Sequence, residues 1–389
     1  MAELTPMMKQ YLEIKRDNPD SILFFRLGDF YEMFADDART ASRELDLTLT
    51  SRDKDPNKSA EERIPMCGIP YHASEAYIAR LVGKGYKVAI CEQMEDPSKT
   101  KGLVKRDIIR VVTPGTVIDA ASLDDKSSNF ICGIYMDSQT AGVAFCDITT
   151  GKAHLTAFAG KGALEHVINE LGRFDPAEAI LNDGAYSEQT LVDVLREKFR
   201  CRVENGGNRR FLLREAENNI RTQFGEEAQQ NLPAGNPAAA MALGGLLHYL
   251  YETQKTDLSH INTLDYYEEG RFMELDLTAR RNLELTETLR SKEKKGSLLW
   301  VLDKTKTPMG ARCIRSWLER PLLSVTAISR RNSAVSALVE NPEAHTRARV
   351  EIMAVGRDER AYANNEFSLY LGGDNALRFL KQPEDATVQ

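Results

Sequence analysis

The stretch Arg26-Leu27-Gly28-Asp29-Phe30-Tyr31-Glu32-Met33-Phe34 carries the residue types best suited to chemistry in this chain. An aromatic ring, Phe30, and a carboxylate, Glu32, stand two residues apart beside Gly28, just after a short apolar run of strand length. An aromatic at a turn can stack on a nucleic-acid base, and a carboxylate next to it can accept a hydrogen bond from the base edge. The same residues have a purely structural reading. Asp29-x-x-Glu32 matches a helix capping box, with Phe30 a core residue at the helix start. That structural reading is strong, and one point resists it: Gly28, Phe30 and Glu32 sit at a strand-to-helix turn, where side chains tend to project outward.

Other constellations offer less. A phosphate-cradling loop needs G-x-x-x-x-G-K-[ST]. Gly-Lys occurs only at 83–84, 151–152 and 160–161, followed by Gly85, Ala153 and Gly162, so the chain has no such loop and no nucleotide-hydrolysing site is expected. A metal-dependent nuclease would rest on Asp137 and Asp147, with Glu170 or Asp183, converging on two cations. Both aspartates flank expected turns, where aspartate is ordinary. The 6 histidines have no metal-ligand spacing, and the 6 cysteines are scattered singly. Neither a metal centre nor a disulfide scaffold follows, and single cysteines suit a reducing compartment. Lys99, Lys101, Lys105, Arg106 and Arg110 face a single acid, Asp107, over residues 99–110. This cationic stretch can grip phosphates or simply stay solvated.

The chain has 389 residues, 42% of them apolar, 28% charged and with a net charge of −7. That length suits several domains, each with its own core. The negative balance does not advertise a nucleic-acid binder. No apolar run approaches the roughly 18–20 residues of a membrane span, and the first residues lack a signal-peptide core. A cytoplasmic protein with no membrane partner is the expectation.

Three segments differ in pattern. In the first, Thr5-Pro6 opens a helix, Ile22–Arg26 reads as a strand, and Asp29 opens a helix with apolar face Phe30, Met33, Phe34, Ala38, Ala41 and Leu45. Leu47–Thr50, Tyr86–Cys91 and Ile108–Val112 add strands, Asp53–Arg63 a charged loop, and Ser74 caps a helix that stops at Gly83. The second begins with three strands, Phe130–Met136, Gly142–Asp147 and Lys152–Phe158, the last two joined by a turn at 147–151. A helix (163–171), a strand (178–181), a helix (189–199) and a strand (202–204) follow, in the order of a ribonuclease-H-like layout, and Ala238–Tyr251 is helical. From Arg271, apolar residues recur at helical spacing through Phe272, Leu275, Ala279, Leu283 and Leu289. Helices from Thr307-Pro308 and from Ser324 or Thr326 come after them. The fold class is therefore multidomain: a mixed α/β domain at 1–115, a linker at 116–127, a ribonuclease-H-like α/β domain at 128–255 and an all-α segment at 256–389.

The Arg26–Phe34 stretch resembles the mismatch-reading motif of the MutS family of DNA repair ATPases. Colinear blocks share the resemblance: Ile64–His72, Val88–Gln93, Arg110–Thr116, Arg281–Leu285, Gly296–Leu299 and Met309–Arg312. It runs over roughly residues 1–342 and weakens after about Asn341, where Gly356, Gly372 and Gly373 interrupt the pattern and the polar end (382–389) looks unstructured. The resemblance implies a mismatch-binding domain, a connector domain and the first part of a lever domain. It implies that Phe30 wedges from the minor groove and stacks on a mispaired base of kinked double-stranded DNA, while Glu32 hydrogen-bonds that base. Met66 and Pro70, in a loop beside the wedge, and Lys99, Lys101, Lys105 and Arg106 become candidates for minor-groove or backbone contacts. Family members continue into a DNA clamp and a DNA-dependent ATPase that binds ATP and Mg²⁺, act as homodimers on the bacterial nucleoid and signal to a MutL-type partner, here expected through the connector. Without the phosphate loop, this chain is expected to be a shortened form that needs no cofactor and has no enzymatic activity of its own. A stand-alone ribonuclease-H-like nuclease is the alternative.

Overall fold

The computed structural model describes residues 5–51, 63–95, 102–117, 127–230, 232, 236–268 and 270–341, and the backbone of 368–371 and 377–380. Lys99, Lys101, nearly all of the charged 53–63 loop, most of the 116–127 linker and the polar end at 382–389 lie outside the described residues.

The first helix, α1 (Pro6–Asp17), starts where the sequence dictates. Thr5 Oγ1 accepts the Met8 amide at 3.3 Å, Pro6 sits in the first turn, and Lys15 and Arg16 complement the C-terminal dipole. Strand β1 (Ser21–Leu27) then forms an antiparallel hairpin with β2 (Phe30–Phe34), closed by the Leu27–Phe30 pair. Here the expected helix from Asp29 is overturned. Gly28-Asp29 is a two-residue hairpin turn with Gly28 at φ 60°, a conformation glycine adopts without a Cβ penalty. Aromatic Phe30, Tyr31 and Phe34 suit a pleated surface, so β2 alternates and the helix α2 (Ala35–Leu45) begins only afterwards. Asp29-x-x-Glu32 therefore caps nothing.

Strand β3 (Thr50–Ser51) is all that forms of the expected 47–50 strand. Strand β4 (Pro65–Pro70) replaces the expected loop. Its two prolines stand at its ends, where a missing amide costs no central ladder bond. A 3₁₀ turn (Tyr71–Ala73), helix α3 (Ser74–Val82) and strands β5 (Lys87–Gln93) and β6 (Arg106–Val112) complete a six-stranded sheet of order β3-β4-β2-β1-β5-β6. Tyr11 of α1 packs on Phe25 and Phe34, on the face that also buries Leu23 and Cys91. Ala38, Ala41, Leu45 and Leu81 cover the other face, over Phe24, Tyr31 and Met33. Beneath α1, Asp37 accepts from Tyr11 Oη (3.1 Å), Lys15 Nζ (2.8 Å) and the Leu23 amide (3.0 Å), so this buried carboxylate is fully engaged.

The second sheet starts with three antiparallel strands, β7 (Phe130–Met136), β8 (Thr140–Asp147) and β9 (Lys152–Ala159), within two residues of the expected bounds. Helix α4 (Ala163–Phe174), β10 (Glu178–Leu181), α5 (Asp183–Ser187), α6 (Gln189–Asp193) with a π turn to Lys198, and β11 (Arg202–Asn205) follow. Next come α7 (Leu213–Phe224), α8 (Glu226–Gln230) and α9 (Ala238–Gln254). Edge strand β12 (Thr263–Tyr266) pairs parallel with β9, giving the order β11-β10-β7-β8-β9-β12 and carrying this sheet past residue 255. Helix α9 lies so close that a Cβ at Gly142 would stand 2.0 Å from the Ala238 carbonyl oxygen. Small residues on both surfaces make that approach, with Leu243, Leu246, Leu247 and Leu250 filling the core.

The third segment departs from the expected long helix. Asp276 caps α10 (Leu277–Asn282), accepting the Ala279 amide at 2.5 Å, so Phe272 and Leu275 precede the helix. Glu284 at φ 48° turns the chain out of it. Helices α11 (Leu298–Leu302), α12 (Pro308–Glu319) and α13 (Val325–Glu340) are capped by Ser297, Thr307 and Ser324. The segment is not wholly helical: β13 (Ser368–Leu371) and β14 (Leu377–Leu380) form an antiparallel pair.

The two sheets are joined by a polar seam. Lys87, 5% exposed, bridges Asp20 at 2.8 Å and Glu204. Arg202 Nη1 donates to the Gly85 carbonyl at 2.7 Å. Fully buried Glu178 accepts from Thr113 Oγ1, from the Gly115 amide at 3.1 Å and from Tyr249 Oη at 2.8 Å. Burial pushes the Glu178 carboxyl above its ordinary range despite those donors.

Candidate nucleic-acid interface

The hairpin turn brings Phe30 to one end of the first sheet. The residue is 47% exposed, large for an aromatic in a chain that buries Phe24, Phe25 and Phe34 completely or nearly so. Antiparallel register sets Phe30 opposite Leu27 on one side and Pro70 on the other. Glu32 follows two residues along, on the same face, between Phe25 and Gly68, and is only 9% exposed. The missing side chain at Gly68 matters: a Cβ there would stand 3.5 Å from Glu32 Cγ and 3.9 Å from Phe30 Cδ1. A ring at the rim with a carboxylate one pleat below it is what the sequence motif brings together.

Other exposed apolar side chains occur at the strand ends that flank this turn. Tyr71 follows β4, Met94 follows β5 and Leu103 precedes β6, at 41%, 54% and 46% exposure. Exposed apolar groups clustered at one end of a domain mark an interaction surface.

The candidate contacts beside the motif do not all share this surface. Pro70 is the cross-strand neighbour of Phe30. Met66 stands opposite Phe34 at the far end of β4 and packs into the core under α1, roughly 13 Å along the strand from Pro70. It is therefore not beside the ring. Lys105 is exposed at the start of β6. Arg106 is taken out of the phosphate-gripping set, being 8% exposed with its Nε and Nη1 donors committed. Nε bonds the Arg26 carbonyl at 2.8 Å, and Nη1 bonds Gln10 Oε1 and the Val104 carbonyl, each at 3.0 Å. Arg110 likewise bonds Gln254 Oε1 (3.0 Å) and the Thr116 carbonyl (2.7 Å) in the seam. Both misreadings have one cause: protein acceptors brought in from other elements hold these cations, which a charge count does not see.

The nuclease constellation does not converge. Asp137 precedes β8 and Asp147 ends it, so about 24 Å of strand separates them. Asp137 accepts the Gln139 and Thr140 amides at 2.8 Å each, and Asp147 accepts the Thr149 amide at 2.9 Å, so each shapes a turn. Glu170 pairs with Arg173 at 2.7 Å and accepts Tyr267 Oη at 2.6 Å. Asp183 accepts the Asn208 amide at 3.2 Å. Among the described residues, no group of three or more metal-ligating side chains occurs, and no helix is long and apolar enough to cross a membrane.

Sequence reasoning missed the residues around the hairpin turn. Tyr31, on the opposite face from Phe30, donates its hydroxyl to Glu92. Burial and that carboxylate push the Tyr31 phenol well above its ordinary range. Arg26 joins the same group, bonding Glu92 Oε1 at 3.3 Å. Arg26 and Glu92 lie within quoted motif blocks, but only tertiary pairing of β1 with β5 brings them together.

Comparison with known proteins agrees along most of the chain. Family models match in order: MutS domain I over residues 5–121, MutS domain II over 129–262 and MutS domain III over 278–367. The DNA mismatch repair protein MutS of Clostridium novyi (strain NT) is 48% identical over 338 residues, covering 87% of this chain and 36% of that protein. MutS of Alkaliphilus oremlandii (strain OhILAs) is 48% identical over 341 residues, 87% of this chain and 38% of that protein. MutS of Acetivibrio thermocellus is 45% identical over 364 residues, 92% of this chain and 41% of that protein. The chain thus spans between 36% and 41% of the length of these relatives.

Proposed function

The chain belongs to the MutS family, with domains I, II and III in order, and from that premise we propose that it reads mispaired or unpaired bases in double-stranded DNA. The observation that carries the reading is the half-exposed Phe30 on a two-residue hairpin turn, with the Glu32 carboxylate one pleat below. In this proposal Phe30 enters from the minor groove and stacks on the mispaired base. A mismatch is poorly stacked and kinks at lower cost than a paired step, so selection comes from deformability rather than base sequence. Glu32 accepts a hydrogen bond from the base edge. Its negative charge opposes phosphates, so it sharpens selection without adding general affinity.

The second domain, with its three antiparallel strands leading into parallel β10 and β11, suits a ribonuclease-H-like connector that carries the reading domain, and the third supplies lever helices. ATP and Mg²⁺ use, homodimer formation and a MutL-type partner belong in this proposal to the whole family protein, and only the reading step is assigned to these residues. The test is competition binding of the 389-residue chain to a duplex with one central G·T pair and to its fully paired counterpart. The reading expects a clear preference for the G·T duplex. Equal affinity for the two, or a preference set by flanking sequence alone, would defeat it.

A further inference from the structure

One guanidinium gathers the parts of the chain that meet at the hairpin turn. Arg26 Nε donates to the Gly28 carbonyl at 2.5 Å, inside the turn itself. Its Nη1 reaches Glu92 Oε1 at the end of β5, and its guanidinium carbon lies 3.5 Å from the centroid of the Tyr71 ring. The Tyr31 ring stands on the same guanidinium at 5.6 Å, and Tyr31 Oη shares the Glu92 carboxylate. The backbone adds to the knot: the Tyr71 amide donates to the Asp29 carbonyl at 3.0 Å, and buried Arg106 donates to the Arg26 carbonyl. The turn, the rim of β5 and the 3₁₀ segment after β4 therefore meet on one side chain. That side chain is only 16% exposed, with its charge turned inward.

From these contacts we infer that Arg26 is a positioning residue for the base-reading hairpin: it fixes the Gly28-Asp29 turn, and with it the direction of Phe30, before DNA arrives. The inference rests on the reading of Phe30 as the group that meets the base. A turn already fixed does not have to be ordered on binding, so more of the stacking energy is left for selection. The planar fork is essential, because it bonds a carbonyl and a carboxylate while lying flat on a ring. A lysine supplies the charge without the fork.

The geometry separates this role from a phosphate contact. A cation that neutralises a phosphate raises affinity on every duplex and steepens the salt dependence by about one unit. A positioning residue changes neither, and acts on the ratio between mismatched and paired DNA. Arg26→Lys, Tyr71→Leu, Tyr71→Phe and Phe30→Ala are compared with the natural 389-residue chain on G·T and paired duplexes over a range of salt. Amide hydrogen exchange across residues 27–34 is followed in parallel without DNA. Arg26→Lys is expected to reduce the mismatch preference about tenfold, to speed exchange in the turn and to leave the salt slope unchanged. Tyr71→Leu removes the ring that lies on Arg26 and is expected to speed exchange in the turn, while Tyr71→Phe keeps the ring and is expected to leave that exchange unchanged; exchange is followed without DNA, so neither outcome depends on Tyr71 meeting the duplex.

Unchanged exchange in both Arg26→Lys and Tyr71→Leu overturns the inference, as does an unchanged mismatch preference in Arg26→Lys when Phe30→Ala has lost it. If Phe30→Ala keeps its preference, the wedge reading is what fails, and the positioning role falls with it even where exchange shows the clamp holding the turn.

Discussion

Replacing Phe30 by alanine removes the ring without touching the fold's interior, and the structure sets the size of the effect. A phenylalanine side chain offers about 200 Å² to its surroundings. With 47% of the residue exposed, roughly 90 Å² remains for a base to cover. At about 25 cal/mol per Å² that is about 2.3 kcal/mol, inside the 1–3 kcal/mol range of a base–aromatic stack. The affinity for a G·T duplex is expected to fall about 40-fold in Phe30→Ala, while affinity for the paired duplex barely moves. Fluorescence anisotropy with both duplexes at one salt concentration reads the ratio directly. Chemical denaturation supplies the control: at a hairpin rim the truncation should cost about 1 kcal/mol, against about 3–5 kcal/mol for a core phenylalanine. A preserved G·T preference, an equal loss on both duplexes or a core-sized loss of stability would each refute the reasoning.

Removing the Glu32 charge by Glu32→Gln should tighten binding to paired DNA and compress the mismatch preference, because one repulsion with phosphates disappears; a titration of both duplexes checks it. Breaking the seam with Lys87→Met leaves Glu204 and Asp20 only their longer contacts with Arg210 and Arg202, each at 3.8 Å. Both keep some water contact, so the loss should be about 2 kcal/mol rather than the 3–5 kcal/mol of a fully buried pair, as read from urea midpoints. Glu178→Gln should change the pH profile of stability. The folded-state pKa of Glu178 is raised, so ionisation begins first in the unfolded chain, and the natural protein loses stability relative to the variant as pH climbs through and above the ordinary carboxylate range. Urea midpoints of the two proteins from acid to neutral pH decide it, and an opposite slope would mean that the seam stabilises the charged form.

Local signals were legible wherever one turn of chain settles the outcome. Thr5-Pro6 and Thr307-Pro308 announce helix starts because a hydroxyl acceptor and a preset φ act within four residues. Strands β7 to β9 form close to their expected bounds, and Asp147 shapes the expected turn between the last two. The motif around Phe30 was read as chemistry but not as structure. Phe30, Met33 and Phe34 have helical spacing, and Asp29-x-x-Glu32 imitates a cap, so the local signals point to a helix where the chain makes a Gly-Asp hairpin turn. Partners from distant strands decided the matter: β1 and β4 flank β2 on both sides. Arg106 shows the same limit in charge, since a cation on an edge strand looks solvated until the neighbouring carbonyls of Arg26 and Val104 are seen to hold it. The helical pattern from Arg271 failed because Asp276, within it, starts the helix rather than continuing one.

The most direct test of the central claim puts a photoreactive group at the tip of the hairpin. With p-benzoylphenylalanine in place of Phe30, irradiation on a duplex carrying a single G·T pair should cross-link the chain at the mispaired nucleotides, and the paired duplex should give little product. Cross-links spread evenly along the DNA, or equal yields on the two duplexes, would contradict a ring that meets the mismatched base.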